Sequence, residues 1–151
     1  MKIGKYMKKD FRAVRPETPM REVAKLFFES REPVLPVVDE DGKLRGIITI
    51  DDFILIFLPE YLDLVRDIDF IQNFGALENN SFSLEESLFV AEDLMQEDVK
   101  VMEINDSVLK AGAILHRQGI PRIPVVDEGR LAGMIGQTEI CRAIYDMEGQ
   151  D

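Results

Sequence analysis

The feature that most constrains this chain of 151 residues is a tetrapeptide, Pro-Val-Val-Asp, that occurs at positions 36–39 and again at 124–127. The offset of 88 residues holds on both sides of the tetrapeptide, and after a one-residue gap it aligns Gly46 with Gly133. Self-similarity of this kind predicts two like structural units. We therefore expect any binding site to lie where the two units meet.

The size of the repeat predicts that the two copies depend on each other. Each copy covers about 45 residues, and units that small rarely bury enough apolar surface alone. The apolar fraction of 46% is ordinary for a globular protein. We therefore expect both copies to pack together as one cooperative body.

The charge of the chain excludes one class of partner. A formal net charge of −11 argues against non-specific nucleic-acid binding, which requires Lys and Arg to neutralise phosphates. A locally basic N-terminal stretch is predicted to be a solvated face. Its members are Lys2, Lys5, Lys8, Lys9, Arg12 and Arg15.

Compartment signals favour the cytoplasm. Cys141 is the only cysteine, so no intramolecular disulfide can form. The N-terminal residues lack the apolar run of a signal peptide. The longest apolar run, Phe53–Leu58, is far shorter than the roughly 20 residues that span a bilayer.

The first copy predicts the order strand, helix, strand, strand, helix. An extended piece at 14–16 precedes a helix capped by Thr18, with Pro19 at its first position. A β-branched strand at 34–38, a tight turn and a strand at 44–50 follow. A helix then starts at Asp51-Asp52.

The second copy repeats that order, and the pattern indicates an α+β fold. Asp106 or Ser107 is predicted to cap its first helix, which Gly119 ends. Strands at 123–126 and 131–135 follow, and the last helix opens at 138–139.

Between the copies lies an insert that is too apolar for a flexible linker. It carries a predicted helix after Pro59 and a predicted capping box from Ser83. We expect it to pack on its own chain or against a partner chain. The domain boundaries predicted from these patterns are 1–53 for the first repeat, 54–89 for the helical insert and 90–151 for the second repeat.

The repeated unit resembles a known family. Thr-Pro-x-x-Glu-Val, Leu-Pro-Val-Val-Asp-Glu-x-Gly and Gly-Ile-Ile-Thr-x-x-Asp follow one another at the offsets of the CBS domain, named for cystathionine β-synthase. Two such domains in tandem resemble a Bateman module. The resemblance implies two β-α-β-β-α repeats packed by pseudo-two-fold symmetry, with the helical insert between them.

The same resemblance implies a regulatory, non-catalytic role. Modules of this family bind adenosyl compounds in the clefts between their repeats, so AMP, ADP, ATP or S-adenosylmethionine is the expected ligand and no cofactor is required. A homodimer forming a disc of four repeats and an unknown effector protein are the implied partners, without nucleic acid or membrane. The alternative is a structural dimerisation module with degenerate clefts.

The family motif places the ribose-binding pair at Thr49 and Asp52, with the adjacent Asp51 as a further candidate for ligand binding. A carboxylate in the first turn of a helix can accept both protons of a sugar diol in charge-assisted hydrogen bonds. A plain helix cap by Asp51 or Asp52 is the competing interpretation.

The motif also implies an adenine wall and a set of phosphate-binding cations. The cations are Arg15, Arg31 and Arg122, which are otherwise surface charges. The wall comprises Val14, Arg15, Pro16, Val34, Leu35 and Pro36, with Met102, Glu103, Ile104, Arg122, Ile123 and Pro124 as the counterpart in the second copy.

The second copy departs from the motif, since Gly136 stands where Thr is expected and Glu139 where Asp is expected. We therefore expect one competent cleft and one that is weak or empty. His116 and Cys141 have no companions for metal binding or nucleophilic catalysis, so no metal site and no enzyme activity are predicted. Whether Mg²⁺ accompanies a bound ATP stays open.

Overall fold

A computed structural model describes residues 1–58 and 88–149 of the chain, and the predicted helix after Pro59 and the capping box from Ser83 lie outside these residues. The helices and strands form two series, one for each repeat. The first series comprises α1 (Ile3–Tyr6), α2 (Met20–Ser30), β1 (Val34–Val38), β2 (Leu44–Thr49) and α3 (Ile50–Leu55). The second series comprises α4 (Ala91–Leu94), β3 (Met102–Glu103), α5 (Val108–Gln118), β4 (Arg122–Asp127), β5 (Arg130–Gly136) and α6 (Gln137–Glu148).

The two sheets have the same register. β1 pairs antiparallel with β2, and β4 with β5, each with an irregularity after the first Val of the repeated tetrapeptide. A parallel bridge between Val14 and Val37 corresponds to the pairing of β3 with β4 at Met102 and Val125. The predicted α+β fold of two like repeats is confirmed.

The N-caps of α2 and α5 lie at equivalent positions of the two repeats, but the residue predicted as the cap is right in only one of them. Pro19 is the N-cap of α2, and the hydroxyl of Thr18 instead accepts a hydrogen bond from the backbone N–H of Arg15, so the predicted cap at Thr18 is wrong. The predicted cap at Ser107 is confirmed, because its hydroxyl accepts from the N–H of Leu109. Asp106 accepts from the N–H of Glu103, as Thr18 does from Arg15 in the first repeat.

The equivalent helices α2 and α5 each end at a residue in the left-handed conformation, but the type of residue differs between the repeats. Gly119 has φ 62° after α5, where glycine is favoured because it has no Cβ. Arg31 occupies the same position after α2 with φ 57°, a conformation that costs a non-glycine residue free energy. The predicted stop of α5 at Gly119 is confirmed.

Each repeat is completed by the N-terminal segment of the other. Ile3 of α1 is fully buried in the core of the second repeat, among α5, β4 and α6. Ala91 of α4 and Met95 are buried in the core of the first repeat. Because each core contains side chains from the opposite segment, neither repeat has a complete core alone, as the small size of the units predicts.

The interface between the repeats is built around a third apolar cluster. Val34, Ile47 and Met134 are buried there. The backbone N–H of Leu131 donates to the carbonyl of Gly42, which joins the two hairpins. Phe11, Val99, Ile120 and Leu131 pack around the cluster. The predicted pseudo-two-fold packing of the repeats is confirmed.

Two glycines let the exchanged segments approach the sheets closely. A Cβ on Gly46 would lie 2.5 Å from the carbonyl oxygen of Gln96, and one on Gly133 would lie 2.8 Å from that of Lys8. Side chains would therefore prevent the paired hydrogen bonds that Ile47 makes with Gln96 and that Met134 makes with Lys8. Glycine recurs in the repeat because another backbone crosses there.

Candidate functional site

The first candidate site lies where β2 runs into α3. Thr49 is the N-cap of α3, and its hydroxyl oxygen accepts a hydrogen bond from the N–H of Asp52 at 3.0 Å. The cap is therefore Thr49, and the cap predicted at Asp51 or Asp52 is wrong, since both belong to the first turn of the helix. This bond fixes the hydroxyl and the carboxylate side by side, and the hydroxyl proton remains to be donated.

The carboxylate of Asp52 also contacts the other repeat. The side-chain amide of Gln96 donates to Oδ2 of Asp52, and the backbone of Gln96 pairs in both directions with Ile47. Gln96 follows α4, the segment that packs on the first repeat. A neutral amide from one repeat is thus the partner of a carboxylate from the other.

The second site, at the equivalent junction of β5 and α6, is built differently. Oε2 of Glu139 accepts from the backbone N–H of Gly136 at 2.8 Å and from Nη1 of Arg122 at 3.0 Å. The carboxylate of Glu139 folds back onto the N–H of the N-cap residue Gly136, whereas in the first repeat the N-cap hydroxyl of Thr49 accepts the N–H of Asp52. The same oxygen also holds a guanidinium.

A network of four charges extends the second site across the repeat interface. Nε of Arg122 lies 2.7 Å from Oε2 of Glu32, and the other oxygen of Glu32 contacts the ammonium group of Lys8. The side chains of Arg122, Glu32 and Glu139 are only 17%, 11% and 14% exposed. Two cations and two anions from both repeats therefore neutralise one another in a largely buried position.

Cross-strand neighbours explain why Gly136 accompanies Arg122. The register pairs Val34 with Thr49 in the first repeat and Arg122 with Gly136 in the second. A Cβ on Gly136 would lie 2.9 Å from the carbonyl oxygen of Pro121 and 3.2 Å from Cγ of Arg122. The backbone of Pro121 is thus the closest obstacle to a side chain at position 136, and the Arg122 side chain adds to the crowding.

The predicted adenine wall is mostly core. Val14, Pro16, Val34, Leu35, Pro36, Ile123 and Pro124 are buried, and so is Met102 in the counterpart wall, whereas Glu103 is exposed and Ile104 is partly buried. Arg15 and Arg31 are exposed, and they flank opposite ends of α2. An 11-residue helix is roughly 16 Å long, so the backbones of these two arginines do not converge.

The sequence did not indicate three residues as members of these sites, namely Lys8, Glu32 and Gln96. Lys8 was assigned to a solvated basic face, yet it pairs with Glu32, so that interpretation is wrong for Lys8. Gln96 carried no motif of its own. The offset of 88 residues aligns Lys8 with Gln96, and this alignment was the available signal.

Residues 1–58 and 88–149 lack two further kinds of feature. No group of three or more His, Cys, Asp or Glu residues in these ranges is arranged to hold a metal ion. No helix in the same ranges is both long and apolar enough to cross a lipid bilayer.

Comparison with known proteins gives a consistent match over both repeats. Residues 3–58 and 90–146 match the family model described as the CBS domain. The chain is 30% identical over 165 aligned positions to the CBS domain-containing protein CBSX1, chloroplastic, of Arabidopsis thaliana, covering 97% of this chain and 65% of that protein. It spans less than two thirds of the length of the first curated relatives that it matches.

Solved structures show the same fold. The crystal structure of Arabidopsis CBSX2 in complex with AMP superposes with a TM-score of 0.72 at 23% identity, covering 97% of this chain and 98% of that one. The CBS domain pair of protein MJ0100, in complex with 5′-methylthioadenosine and S-adenosylmethionine, gives a TM-score of 0.67 at 22% identity, covering 97% and 98%. At these identities the likeness concerns the fold.

Proposed function

Because this chain belongs to the CBS-domain family, with two CBS domains in tandem, we propose that it is a regulatory module that binds an adenosyl compound between its repeats. Two structural neighbours are in complex with AMP and with 5′-methylthioadenosine and S-adenosylmethionine, and all three ligands contain an adenosine moiety. That common group is the chemistry that the proposed site has to recognise.

The observation that carries the proposal is the pairing of Thr49 with Asp52. The N-cap hydrogen bond holds the two polar groups together, and Asp52 remains partly exposed. A carboxylate accepts two hydroxyl protons of a ribose diol, and hydrogen bonds to a charged group contribute about 1.5–3 kcal/mol each. The hydroxyl of Thr49 assists by donating to the ligand.

Gln96 supplies the route by which binding reaches the second repeat. Its side-chain amide donates to Oδ2 of Asp52. A ribose diol needs the same acceptor, so it competes with the amide and releases the side chain of Gln96. Because the segment of Gln96 continues into the second repeat, ligand binding changes a contact between the repeats.

The candidate phosphate-binding arginines do not narrow the proposed ligand beyond an adenosyl compound. Arg122 is already neutralised by two carboxylates, and Arg15 and Arg31 lie at opposite ends of α2. The sugar and base therefore carry recognition, and AMP, ADP, ATP and S-adenosylmethionine are the compounds to compare. Mg²⁺ is included with ATP.

The remaining parts of the proposal concern assembly. We propose that two chains form a homodimer of four repeats, that the dimer acts on an effector protein in the cytoplasm, and that the module itself catalyses no reaction. The insert between the repeats and the helices after each site, α3 and α6, are the proposed output surfaces.

Isothermal titration with AMP, ADP, ATP and S-adenosylmethionine tests the binding step. We expect one ligand to bind, and Asp52→Ala to weaken it at least about 100-fold, since two charge-assisted hydrogen bonds are lost. Asp51→Ala removes the same charge one residue earlier from an exposed side chain, and it serves as the matched control. Equal losses in both variants would indicate a general charge effect and not a diol site.

A structural dimerisation module is the second candidate, and exposed aromatic side chains favour it. Phe28 on α2 is 70% exposed and Tyr145 on α6 is 78% exposed. Sedimentation of Phe28→Ser and Tyr145→Ser variants tests this role, because loss of a dimer without loss of ligand binding separates assembly from sensing. Failure of every adenosyl compound to bind a dimeric wild-type protein would favour this second candidate.

A further inference from the structure

The network at the second site is more than a degenerate motif, because all four of its charges are used. Arg122 contacts carboxylates on both sides, Glu139 caps a helix while holding the guanidinium, and Glu32 bridges Arg122 to Lys8. A site that had merely lost its ligand would leave polar groups without partners. None of the buried side-chain polar atoms in the described part of the chain lacks a hydrogen-bond partner.

The repeat alignment shows which residues differ between the two sites. The offset pairs Arg122 with Val34, Lys8 with Gln96, and Glu32 with Ile120, and the motif pairs Glu139 with Asp52. Val34 and Ile120 belong to the same apolar cluster. An ion pair across the repeat interface on one side therefore takes the place of an apolar contact on the other.

We propose that Lys8, Glu32, Arg122 and Glu139 form an intrachain latch that replaces a ligand at the second site. The guanidinium of Arg122 satisfies the carboxylate that a sugar would otherwise engage. The chain then binds one ligand, and the latch holds the second side of the repeat interface whether or not the first side is occupied. This inference rests on the proposed function for its binding step only.

Gly136 is part of the same device. Its added Cβ would lie 2.9 Å from the carbonyl oxygen of Pro121 and 3.2 Å from both Cγ of Arg122 and Oε2 of Glu139, so a Thr side chain at this position requires the backbone and the latch residues to shift. The glycine therefore leaves room for the Arg122–Glu139 pair. The carboxylate of Glu139 accepts the N–H of Gly136 itself.

The latch is tested first by stoichiometry, with AMP as the probe. An opened variant carries Lys8→Gln, Glu32→Ile, Arg122→Val, Gly136→Thr and Glu139→Asp, which install the residues of the first site and make the net charge more negative by one. The control carries Lys25→Ala and Glu29→Ala, which remove one exposed ion pair. We expect one AMP per chain for wild type and control, and two for the opened variant.

Two equal sites in the wild-type protein would overturn the latch and leave the proposed function intact. One site in a folded opened variant would also overturn it, because the charges would then not be what excludes the second ligand.

A second measurement needs no ligand and only one substitution. Hydrogen exchange compares the amides of Lys8 and Met134, next to the latch, with the equivalent amides of Gln96 and Ile47. We expect the first pair to be more protected by at least about tenfold, since local opening must break the network. Glu32→Gln preserves volume and is expected to remove this excess protection while the second pair is unchanged.

Equal protection of the two pairs in wild type, or a uniform loss in Glu32→Gln, would contradict the latch. If no adenosyl compound binds the wild type while the protection differs as expected, the proposed function fails and the latch stands. The two proposals can therefore fail separately.

Discussion

The two inter-repeat sites occupy equivalent places in a repeated fold, and they hold the repeats together by different means. At the first site, one neutral amide of Gln96 contacts the carboxylate of Asp52. At the second, Arg122 contacts Glu32 and Glu139 in a largely buried network. One backbone arrangement thus supports an exchangeable contact on one side and a saturated one on the other.

The difference teaches that burial, and not the motif, decides how freely a polar contact can be exchanged. A buried charge that loses its partner is left without solvation, so the network resists opening. A partly exposed amide that leaves a carboxylate is replaced by water or a ligand hydroxyl at little net cost. Of the two sites, only the first therefore pairs its carboxylate with a partner that can leave at little cost.

The largest effect is expected from Arg122→Met, which leaves Glu32 and Glu139 without their shared cation. Removing one partner of a buried ion pair typically destabilises a protein by 3–5 kcal/mol, and the partial exposure here points to about 3 kcal/mol. Urea unfolding measures the change. Lys25→Met, which breaks an exposed pair with Glu29, is expected to cost less than about 1 kcal/mol. Similar losses in the two variants would remove the distinction between the sites.

The next effect is expected from Gly136→Ala. The added Cβ would lie 2.9 Å from a backbone carbonyl, and overpacking of this kind typically costs about 1–3 kcal/mol. Gly112→Ala, in the middle of α5, is the control, because the nearest atom to its Cβ would be Cδ1 of Ile140 in α6 at an ordinary 3.7 Å. There the better helix propensity of Ala is expected to stabilise the protein by up to about 1 kcal/mol. Calorimetric melting temperatures of both variants check the opposite signs.

A smaller effect is expected from Gln96→Ala, which removes the hydrogen bond that Asp52 accepts from the other repeat. The hydrogen bond is exposed, so the loss of unfolding free energy is expected to be about 1 kcal/mol or less. Ligand affinity is expected to stay the same or increase, because the competing donor is gone. A loss of affinity measured by titration would instead make Gln96 part of the binding site and would argue against displacement.

The smallest expected effect is a difference in the pH dependence of stability between the equivalent turns at Asp106 and Thr18. The hydrogen bond from the backbone of Glu103 is the main cause that lowers the pKa of Asp106, with Lys110 contributing. A lowered folded pKa stabilises the protein above the unfolded value near 3.9 and loses that contribution as the pH falls through the folded pKa. The turn at Thr18 has no such dependence.

Asp106→Asn should therefore reduce acid sensitivity between about pH 5 and 3 by a few tenths of a kcal/mol, since solvent screens the partly exposed group. Urea unfolding at several pH values checks the slope. Thr18→Val breaks the equivalent turn without a titrating group and is expected to lower stability equally at every pH. A pH-dependent loss in the Thr18 variant would contradict this assignment.

Sequence alone predicted the elements and the repeat because their signals are local or periodic. The ends of α5 at Ser107 and Gly119 follow from capping chemistry that needs only neighbouring residues. The cap of α3 was misassigned because Thr49, Asp51 and Asp52 are all competent capping residues. Backbone geometry at the strand end chose the first of them.

Long-range pairs were the part that sequence reasoning missed. Lys8 and Glu32 are 24 positions apart, and Asp52 and Gln96 are 44 positions apart, and no periodicity links them. A lysine in a basic stretch is ordinarily solvated, so the burial of Glu32 had to be known before the pair could be recognised. Within the motif, Gly136 and Glu139 did indicate that the second site differs.

The sequence by itself determined that this chain is a tandem repeat with one intact and one altered motif, because duplication and turn chemistry are written in adjacent residues. Only the tertiary structure decided that each repeat receives the N-terminal segment of the other, and that the altered motif faces a cation and not an empty cleft. These outcomes depend on which distant side chains share a buried space, where unpaired charge is costly and every neighbour matters.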